Sequence, residues 1–407
     1  MKKILILTVT AGNAHNSCAR IMKEEIERTT EAEVRIVDIF RAFSSAQQVW
    51  LEDTGYNISV SKLRAIYNAF YNHYKKLNPV TRYINATQNA CIATTDGLLK
   101  YVLEFQPDAI FCTHYAGAIA LSDLRLAFNI PCTVITTSLD FALTPFWESA
   151  IGVDYFVIPN EDSLDEGLYK GFRPEQLLPY GLPVKNLQGV DRATARKELG
   201  LLDKFTVLIL FGGGHWKGGY YIYRMARHAL KGTNAQIVVI NGKDKKSYQR
   251  IQKEPPEEGL EIVNVGFTDK LPMYLCAADV VLNKCGGASS AETMNAGRPM
   301  IVYEKIPAQE LYNLEYLKKC GAALSFKKES ELKNHLDKLM GDDNLRAAMS
   351  HNAEKLKSDA LVRVAQMLAT APAADYSATR EYANLKPKEI KKRVRAALKA
   401  ANKELRK

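Results

Sequence analysis

The chain has 407 residues, 47% of them hydrophobic, which is enough for two globular domains of ordinary size. Its seven cysteines show no CxxC pair and no metal-ligand spacing, which argues against a disulfide framework or a structural zinc site. The net charge of +10 is concentrated in residues 386–407, which carry ten lysines and arginines against two glutamates, so a basic nucleic-acid-binding face on the body is not expected.

The first residues resemble a signal peptide only briefly. The apolar run ends after about six residues at a Gly-Asn pair, well short of a signal sequence with its cleavage site. No stretch approaches the roughly 18 apolar residues of a membrane-spanning helix. We therefore expect a protein that is either free in the cytoplasm or peripheral on the inner face of the cell membrane.

Short apolar runs alternate with helical patterns along the chain, which is typical of parallel α/β domains. The predicted strands are 3–10, 34–39, 109–113, 132–137 and 155–159, then 206–211, 235–240, 261–265, 280–283 and 300–303. A break between residues 180 and 190 separates two sets, which predicts two doubly wound domains over 1–185 and 186–350. A helix over 351–370 and a linker with a basic tail over 371–407 complete the prediction.

The first loop whose residues could bind a ligand or transfer a proton follows the first predicted strand. Gly12, Asn13 and His15 stand between that strand and a helix expected to begin near Ser17. Ligands of doubly wound domains bind at the carboxyl ends of the strands. An imidazole here could take a hydroxyl proton near neutral pH, or it could merely cap the helix, and position alone favours neither.

Residues 62–81 are rich in tyrosine, with apolar side chains at helical spacing and basic neighbours. Such a helix could lie at a membrane surface or line an acceptor groove. Packing against its own domain is the commoner outcome for an amphipathic helix, and we expect it here.

The second half offers a glycine-rich turn after its first strand, with Gly213, Gly214 and His215. Backbone N–H groups at such a helix start suit a diphosphate. The turn is not a P-loop, because GxxxxGK[ST] is absent, and no acidic residue follows the next strand to bind a ribose diol as in NAD-binding domains.

The most specific motif follows the predicted strand 280–283. Lys284, Gly286 and Gly287 precede Ser289, where we expect a helix to start, with Glu292 in its first turn. Exposed amides would neutralise a leaving diphosphate, and the carboxylate could accept both hydroxyls of a ribose. The alternative is an acid that only stabilises the helix start.

A third loop, after strand 300–303, carries Gln309, Glu310 and Asn313. Their side chains suit hydrogen bonds to sugar hydroxyls. In isolation they are better explained as an ordinary solvated loop.

Taken in order, these motifs resemble the monogalactosyldiacylglycerol synthase and processive diacylglycerol glucosyltransferase family, which is related to the peptidoglycan N-acetylglucosaminyltransferase. The resemblance covers roughly residues 3–350, and three positions depart from the family pattern, namely Ala14, Thr144 and Ala308. The matching residues are Gly12 to His15, Asp140-Phe141 with Trp147, Gly181-Leu182-Pro183, Gly213-Gly214-His215, Gly266-Phe267, Lys284 with Gly286-Gly287, Glu292, and Gln309-Glu310 with Asn313.

The resemblance implies a GT-B-type fold, with two Rossmann-like domains facing a cleft, and an inverting transfer of glucose or galactose from a UDP-sugar to the hydroxyl of diacylglycerol or a related lipid. Uracil would lie against the backbone around Phe267, ribose on Glu292, and the diphosphate between turns 213–215 and 286–289. His15 would be the base, with Asp140 as its orienting partner or competitor. No metal and no cofactor are implied, since helix termini and Lys284 would supply the positive field.

The basic tail is predicted to form an amphipathic helix that binds an anionic membrane surface. Its apolar positions recur at 4-4-3-4 spacing and are Ile390, Val394, Leu398, Ala401 and Leu405. A disordered solubilising tail and a nucleic-acid-binding arm are the alternatives.

Two other functions compete with glycosyl transfer. A UDP-sugar 2-epimerase shares the two-domain architecture but needs several acid/base carboxylates, and the motif loops offer few beyond Asp140. A catalytically silent nucleotide- or lipid-binding protein is consistent with the three departures from the family pattern.

Overall fold

The computed structural model describes residues 1–10, 14–45, 49, 58, 63–86, 92–185, 190–211 and 219–404. The chain divides into two compact units, Met1–Pro183 together with Asp359–Lys407, and Val184–Ser358. The division after Pro183 falls within the predicted break. The last 49 residues return to the first unit, however, whereas we expected a separate helix and tail.

The first unit is built on a parallel sheet whose strands follow the order β2-β1-β3-β4-β5-β6 in the described part of the chain. The strands are β1 (Lys3–Thr8), β2 (Glu33–Asp38), β3 (Ala109–Cys112), β4 (Thr133–Thr137), β5 (Tyr155–Val157) and β6 (Leu177–Leu178). The helices described in this unit are α1 (Ala14–Thr29), α2 (Ile39–Phe43), α3 (Arg64–Lys75), α4 (Pro79–Ala86), α5 (Ile92–Phe105), α6 (Tyr115–Phe128) and α7 (Leu164–Tyr169).

The strands of this sheet are apolar on both faces because helices cover both. Along β1, Leu5 and Leu7 pack with α5 and α6, whereas Ile4 and Ile6 pack with α1 on the other face. This alternation explains why the strands read as nearly continuous apolar runs in the sequence.

The C-terminal residues complete both layers of the first unit. The helix α16 (Ala360–Thr370) packs against α1, and the helix α17 (Pro387–Glu404) packs against α5 and α6. Ile390 and Val394, which we assigned to a membrane-facing stripe, are fully buried in the core beside α5 and α6. The prediction of an apolar membrane face on the tail is therefore wrong, because that face packs on the helices α5 and α6.

The segment between these two helices is also part of the first unit. The Tyr376 hydroxyl donates to the backbone oxygen of Pro107 (2.9 Å), and the Ala374 N–H donates to the Asp108 carboxylate (3.1 Å). On α17, the Lys391 ammonium lies 3.1 Å from the Asp96 carboxylate of α5. The predicted linker is thus held at several points.

The second unit contains a parallel sheet with the order β12-β11-β10-β7-β8-β9 among its described residues. Its strands are β7 (Thr206–Leu210), β8 (Ala235–Ile240), β9 (Leu260–Val265), β10 (Val280–Asn283), β11 (Met300–Tyr303) and β12 (Ala323–Phe326). Its described helices are α8 (Arg192–Leu199), α9 (Gly219–Ala229), α10 (Lys245–Gln252), α11 (Leu271–Ala277), α12 (Gly287–Asn295), α13 (Ala308–Lys319), α14 (Glu329–Gly341) and α15 (Asp343–Glu354).

All ten predicted strands are confirmed, and each sheet has one further strand that we did not predict. Both are edge strands: β6 has only two residues, and β12 has two half-buried residues at its centre. Neither leaves an apolar run long enough to stand out. No helix within the described ranges is both long enough and apolar enough to cross a membrane.

Candidate active site

In the first unit the order of the strands changes direction between β1 and β3. β2 lies on one side of β1, and β3 to β6 follow on the other. The chain leaves the carboxyl ends of β1 and β3 in opposite directions, which opens the crevice where ligands of such sheets bind. His15 follows β1, and Thr113 with His114 follows β3.

The imidazole of His15 is fixed across this crevice. α1 begins at Ala14 rather than near Ser17, so His15 lies in its first turn. Its Nδ1 is 2.7 Å from the backbone oxygen of Thr113. Because a carbonyl oxygen can only accept, Nδ1 carries the hydrogen and Nε2 keeps its lone pair. Burial lowers the pKa of His15 from 6.5 to about 4, against the opposing effect of this hydrogen bond, so the ring is a neutral proton acceptor near pH 7.

A chain of side-chain hydrogen bonds holds the start of α1 in place. The Thr8 hydroxyl donates to Asn16 (3.0 Å), whose amide donates to Thr10 (3.0 Å), which in turn donates to Asp38 at the end of β2 (2.6 Å). These residues were not among the predicted site residues, because a threonine or asparagine in this position has no distinctive spacing. They hold the first turn of α1, which carries His15.

A second imidazole, also not predicted, lies beside the first. The ring centroids of His15 and His114 are 4.7 Å apart and the rings are nearly perpendicular. The signal was present in the sequence, since His114 directly follows the predicted strand 109–113 at the edge where ligands bind.

Asp140, the other predicted catalytic residue, lies in the segment after β4, one strand beyond β3 at the same edge. It is half-buried, and its backbone N–H donates to the Ser138 hydroxyl (3.4 Å). Its role as orienting partner or competing base stays a prediction. The predicted acceptor-loop residues Gly12 and Asn13 lie outside the described residues.

In the second unit the order of the strands changes direction between β7 and β10. The turn after β10 is held by side chains. The Asn283 carboxamide oxygen accepts the N–H of Cys285 (2.8 Å), which has a left-handed φ of 58°, and the Asn313 amide donates to the Cys285 backbone oxygen (3.1 Å). Asn313 is fully buried and supports the turn, whereas we predicted a sugar ligand.

The turn delivers the chain to the start of α12. Gly286 is the residue before the helix and makes no side-chain cap, so the first N–H groups of α12 are available to an anion. α12 starts at Gly287, ahead of the predicted Ser289, and Glu292 therefore lies in its second turn rather than its first. The Ser289 hydroxyl donates back to the oxygen of Gly286 (3.1 Å).

A partly buried ion pair lies next to this turn. The Lys284 ammonium bonds to one carboxylate oxygen of Glu310, in the first turn of α13. Glu310 is buried, and burial raises its pKa, while Lys284 opposes the shift. Its other oxygen, Oε2, has no hydrogen-bond partner among the described residues. A Cβ on Gly286 would lie 3.3 Å from the Lys284 ammonium, so this close approach favours glycine.

The remaining residues predicted to bind the donor are Gln309, Gly266, Phe267 and the turn 213–215. Gln309 is half-buried in the first turn of α13, beside Glu310. Gly266 and Phe267 follow β9 at the sheet edge, and the Phe267 side chain is 76% exposed. The predicted diphosphate-binding residues Gly213, Gly214 and His215 lie outside the described residues. Within the described ranges no group of three or more metal-ligating side chains converges, and metal-free chemistry stays a prediction.

Comparisons with known proteins place both units among glycosyltransferases. Residues 15–184 match the family model for monogalactosyldiacylglycerol (MGDG) synthase, and residues 223–364 match that for the glycosyltransferase family 28 C-terminal domain. A probable chloroplastic monogalactosyldiacylglycerol synthase of Nicotiana tabacum is 26% identical, over 89% of this chain and 69% of that protein. The processive diacylglycerol beta-glucosyltransferase of Bacillus subtilis is 23% identical, over 87% of this chain and 91% of that protein.

Solved structures share the fold at lower identity. The crystal structure of Acinetobacter baumannii MurG is 15% identical and aligns with a TM-score of 0.58, over 90% of this chain and 99% of that one. The two doubly wound units expected from the sequence are thus found in an experimentally determined structure.

Proposed function

Since the chain belongs to the glycosyltransferase family that the MGDG synthase and family 28 models describe, we propose that it transfers a hexose from a UDP-sugar to the hydroxyl of diacylglycerol or a related membrane lipid. Relatives of this chain are named for galactosyl and glucosyl products of diacylglycerol. The observation that carries the proposal is the neutral His15 imidazole, fixed by the Thr113 oxygen at the crevice of the first unit.

His15 is the base of the reaction. As the acceptor hydroxyl oxygen attacks the anomeric carbon of the sugar, its proton passes to Nε2 of His15 and the bond from that carbon to UDP breaks. The Thr113 oxygen holds the ring orientation and stabilises the positive charge that forms on it. Attack on the face opposite the leaving UDP inverts the anomeric centre. Asp140 is the further candidate for orienting the acceptor or the base.

The second unit binds the UDP-sugar. The uncapped start of α12 and the Lys284 ammonium supply positive field for the diphosphate, so the proposal includes no metal. The unpaired Oε2 of Glu310 is an acceptor for a sugar hydroxyl, which would satisfy a buried oxygen that now has no partner among the described residues. Glu292 and the backbone around Phe267 are proposed to hold ribose and uracil.

The lipid acceptor reaches the first unit through the exposed surface of α3 and α4. The apolar residues of this α3–α4 surface are Leu63, Ile66, Phe70, Leu77 and Val80. Ile66 is 67% exposed and Phe70 51%, and within α3 only Tyr71 is buried. The expectation that this segment packs its apolar face on its own domain is therefore wrong. Exposed apolar side chains beside Lys76 and Arg82 suit a bilayer with anionic headgroups.

The attachment of these two helices explains why their apolar face is free. Lys75 of α3 forms an ion pair with Glu166 of α7 (2.5 Å), and Asn85 of α4 donates to the buried Glu148 (3.2 Å), which also pairs with Lys170 (2.9 Å). The helices are thus held by their polar side. We propose that the exposed basic face of α17 adds only electrostatic attraction to the inner face of the cell membrane.

The test of the base is the variant His15→Ala, measured as UDP release with vesicles that contain diacylglycerol. Removal of a general base should lower kcat by about 10²- to 10⁴-fold, with little change in KM for the UDP-sugar. The matched control is His351→Ala, an exposed histidine on α15, which should keep wild-type rates. A His15→Ala enzyme that retains its kcat would overturn the assignment of the base.

A further inference from the structure

The second histidine of the crevice has a defined hydrogen-bonding state. His114 is the residue before α6, and its Nδ1 accepts the backbone N–H of Ala116 at 3.1 Å. An N–H can only donate, so Nδ1 of His114 carries no hydrogen, and in the neutral ring the hydrogen is on Nε2. Burial lowers the pKa of His114 well below 6.5, and the nearby His15 lowers it further, so the ring is neutral near pH 7.

The two histidines therefore have opposite hydrogen-bonding roles at Nε2. The backbone oxygen of Thr113 places the hydrogen of His15 on Nδ1 and leaves Nε2 as an acceptor. The backbone N–H of Ala116 leaves His114 with Nε2–H as a donor. With ring centroids 4.7 Å apart, one acceptor and one donor are presented within a single small ligand's reach.

The donor nitrogen of His114 is not used within the protein as described. None of the described residues forms a hydrogen bond to Nε2 of His114, and the ring is only half-buried. A half-buried N–H without a protein acceptor can donate to an oxygen of a bound ligand. This nitrogen is suited to a ligand oxygen.

Aromatic rings lead from the exposed α3–α4 surface to the histidines. Phe70 lies 4.4 Å from Tyr74, Tyr74 lies 5.7 Å from Phe146, Phe146 lies 5.9 Å from Tyr115, and Tyr115 lies 4.0 Å from His114, all between ring centroids. Such a row of contacting aromatic rings offers an apolar surface that suits acyl chains rather than a free sugar. The ligand oxygen near His114 therefore belongs to a molecule with apolar chains.

Resting on the proposed function, we propose that the Nε2–H of His114 binds the ester group next to the free hydroxyl of the acylglycerol acceptor, while His15 takes the proton of that hydroxyl. A glycerolipid carries both groups on adjacent carbons. An ether-linked glycerolipid has the hydroxyl but no ester carbonyl, so His114 makes the enzyme select the ester-linked lipid.

The test compares kcat/KM for dioleoylglycerol and for its dialkyl ether analogue, in wild type and in His114→Asn. Asparagine is a preferred residue before a helix and keeps an oxygen for the Ala116 N–H, but it has no group in the place of Nε2–H. Wild type should prefer the ester by about tenfold, the size of one hydrogen bond. His114→Asn should lose that preference, so that its ratio of kcat/KM for the ester to kcat/KM for the ether falls to about one.

Two controls separate the possible outcomes. The thermal midpoint of His114→Asn should match wild type, and His114→Gln, whose amide can reach further as a donor, should recover part of the ester preference. Equal losses on both lipids, or an unchanged preference, would overturn the role of His114 while leaving glycosyl transfer intact. Absence of turnover with either lipid in wild type would instead overturn the proposed function, and this inference with it.

Discussion

Both units place their candidate functional residues where the strand order of a parallel sheet changes direction. These residues are neutral in the first unit and charged in the second. In the first unit, burial keeps His15 and His114 neutral, and backbone groups set which nitrogen of each ring carries hydrogen. In the second unit, Lys284 and Glu310 form an ion pair beside an uncapped helix start. The topology supplies the crevice in both cases.

The two sites differ in whether their side chains are neutral or charged, and each state suits a different task. Neutral rings suit a site that must accept a proton from an alcohol, because a protonated imidazole cannot serve as a base. Fixed charges suit a site that must bind a dianionic diphosphate and hydroxyl groups. Under the proposed function, the same fold would support acceptor chemistry in one unit and donor binding in the other.

The largest expected difference between the two sites is their response to acid. His15 has a pKa of about 4 in the folded chain against an ordinary 6.5. Between these pH values only the unfolded chain binds this proton, so the stability that is present above pH 6.5 is lost as pH falls toward 4, by up to about 3 kcal/mol. Hydrogen exchange should show β1 losing more protection than β7 between pH 7 and 5.

The matched variant for this comparison is His15→Asn, which has no titrating ring and should lose less protection of β1 between pH 7 and 5. Equal losses in β1 and β7, unchanged by the variant, would show that the two sites do not differ in this respect.

The next effect concerns the donor site. Glu310→Ala removes the charged acceptor proposed for a sugar hydroxyl and should lower kcat/KM for the UDP-sugar by about ten- to a hundredfold. The affinity for UDP itself, measured by calorimetry, should not fall, because Lys284 keeps its charge for the diphosphate and loses a competing carboxylate. Glu315→Ala, an exposed glutamate on the same helix α13, is the control. A parallel loss of UDP affinity would place Glu310 with the diphosphate rather than the sugar.

The smallest effect concerns the membrane surface of the first unit. Replacing Ile66 and Phe70 together with serine should weaken binding to anionic vesicles by about three- to tenfold, because partly exposed side chains contribute only part of their apolar area. Thermal stability should not change, since both are exposed. Val362→Ser, 49% exposed on α16, is the control, and equal weakening by this variant would refute the assignment of the surface.

The sequence predicted best those elements that follow a regular pattern of apolar residues. Buried parallel strands leave long apolar runs, so all ten predicted strands are present, whereas the short edge strands β6 and β12 leave none. His15, Lys284 and Glu310 stand at strand ends, where their position could be predicted. The pairing of Lys284 with Glu310 depends on two loops that only the folded sheet brings together.

The surroundings of the two amphipathic helices α17 and α3 could be found only from the tertiary structure. The amphipathic pattern of α17 is the same whether its apolar face meets a membrane or other helices, and only packing shows that Ile390 and Val394 are buried. In α3 the opposite occurs, because Ile66 and Phe70 are exposed while a partly buried ion pair between Lys75 and Glu166 helps to hold the helix. Periodicity predicts an apolar face but does not identify what covers it.

The most direct test of the proposed function is to incubate the wild-type protein with UDP-glucose or UDP-galactose, with and without diacylglycerol vesicles, and to measure released UDP and the mass of the lipid. We expect UDP release that requires the lipid, and a lipid product heavier by one or more hexose units. UDP release or sugar isomerisation without lipid would indicate an epimerase. Binding of UDP without any turnover would indicate a silent binding protein, and either result would contradict glycosyl transfer to a lipid.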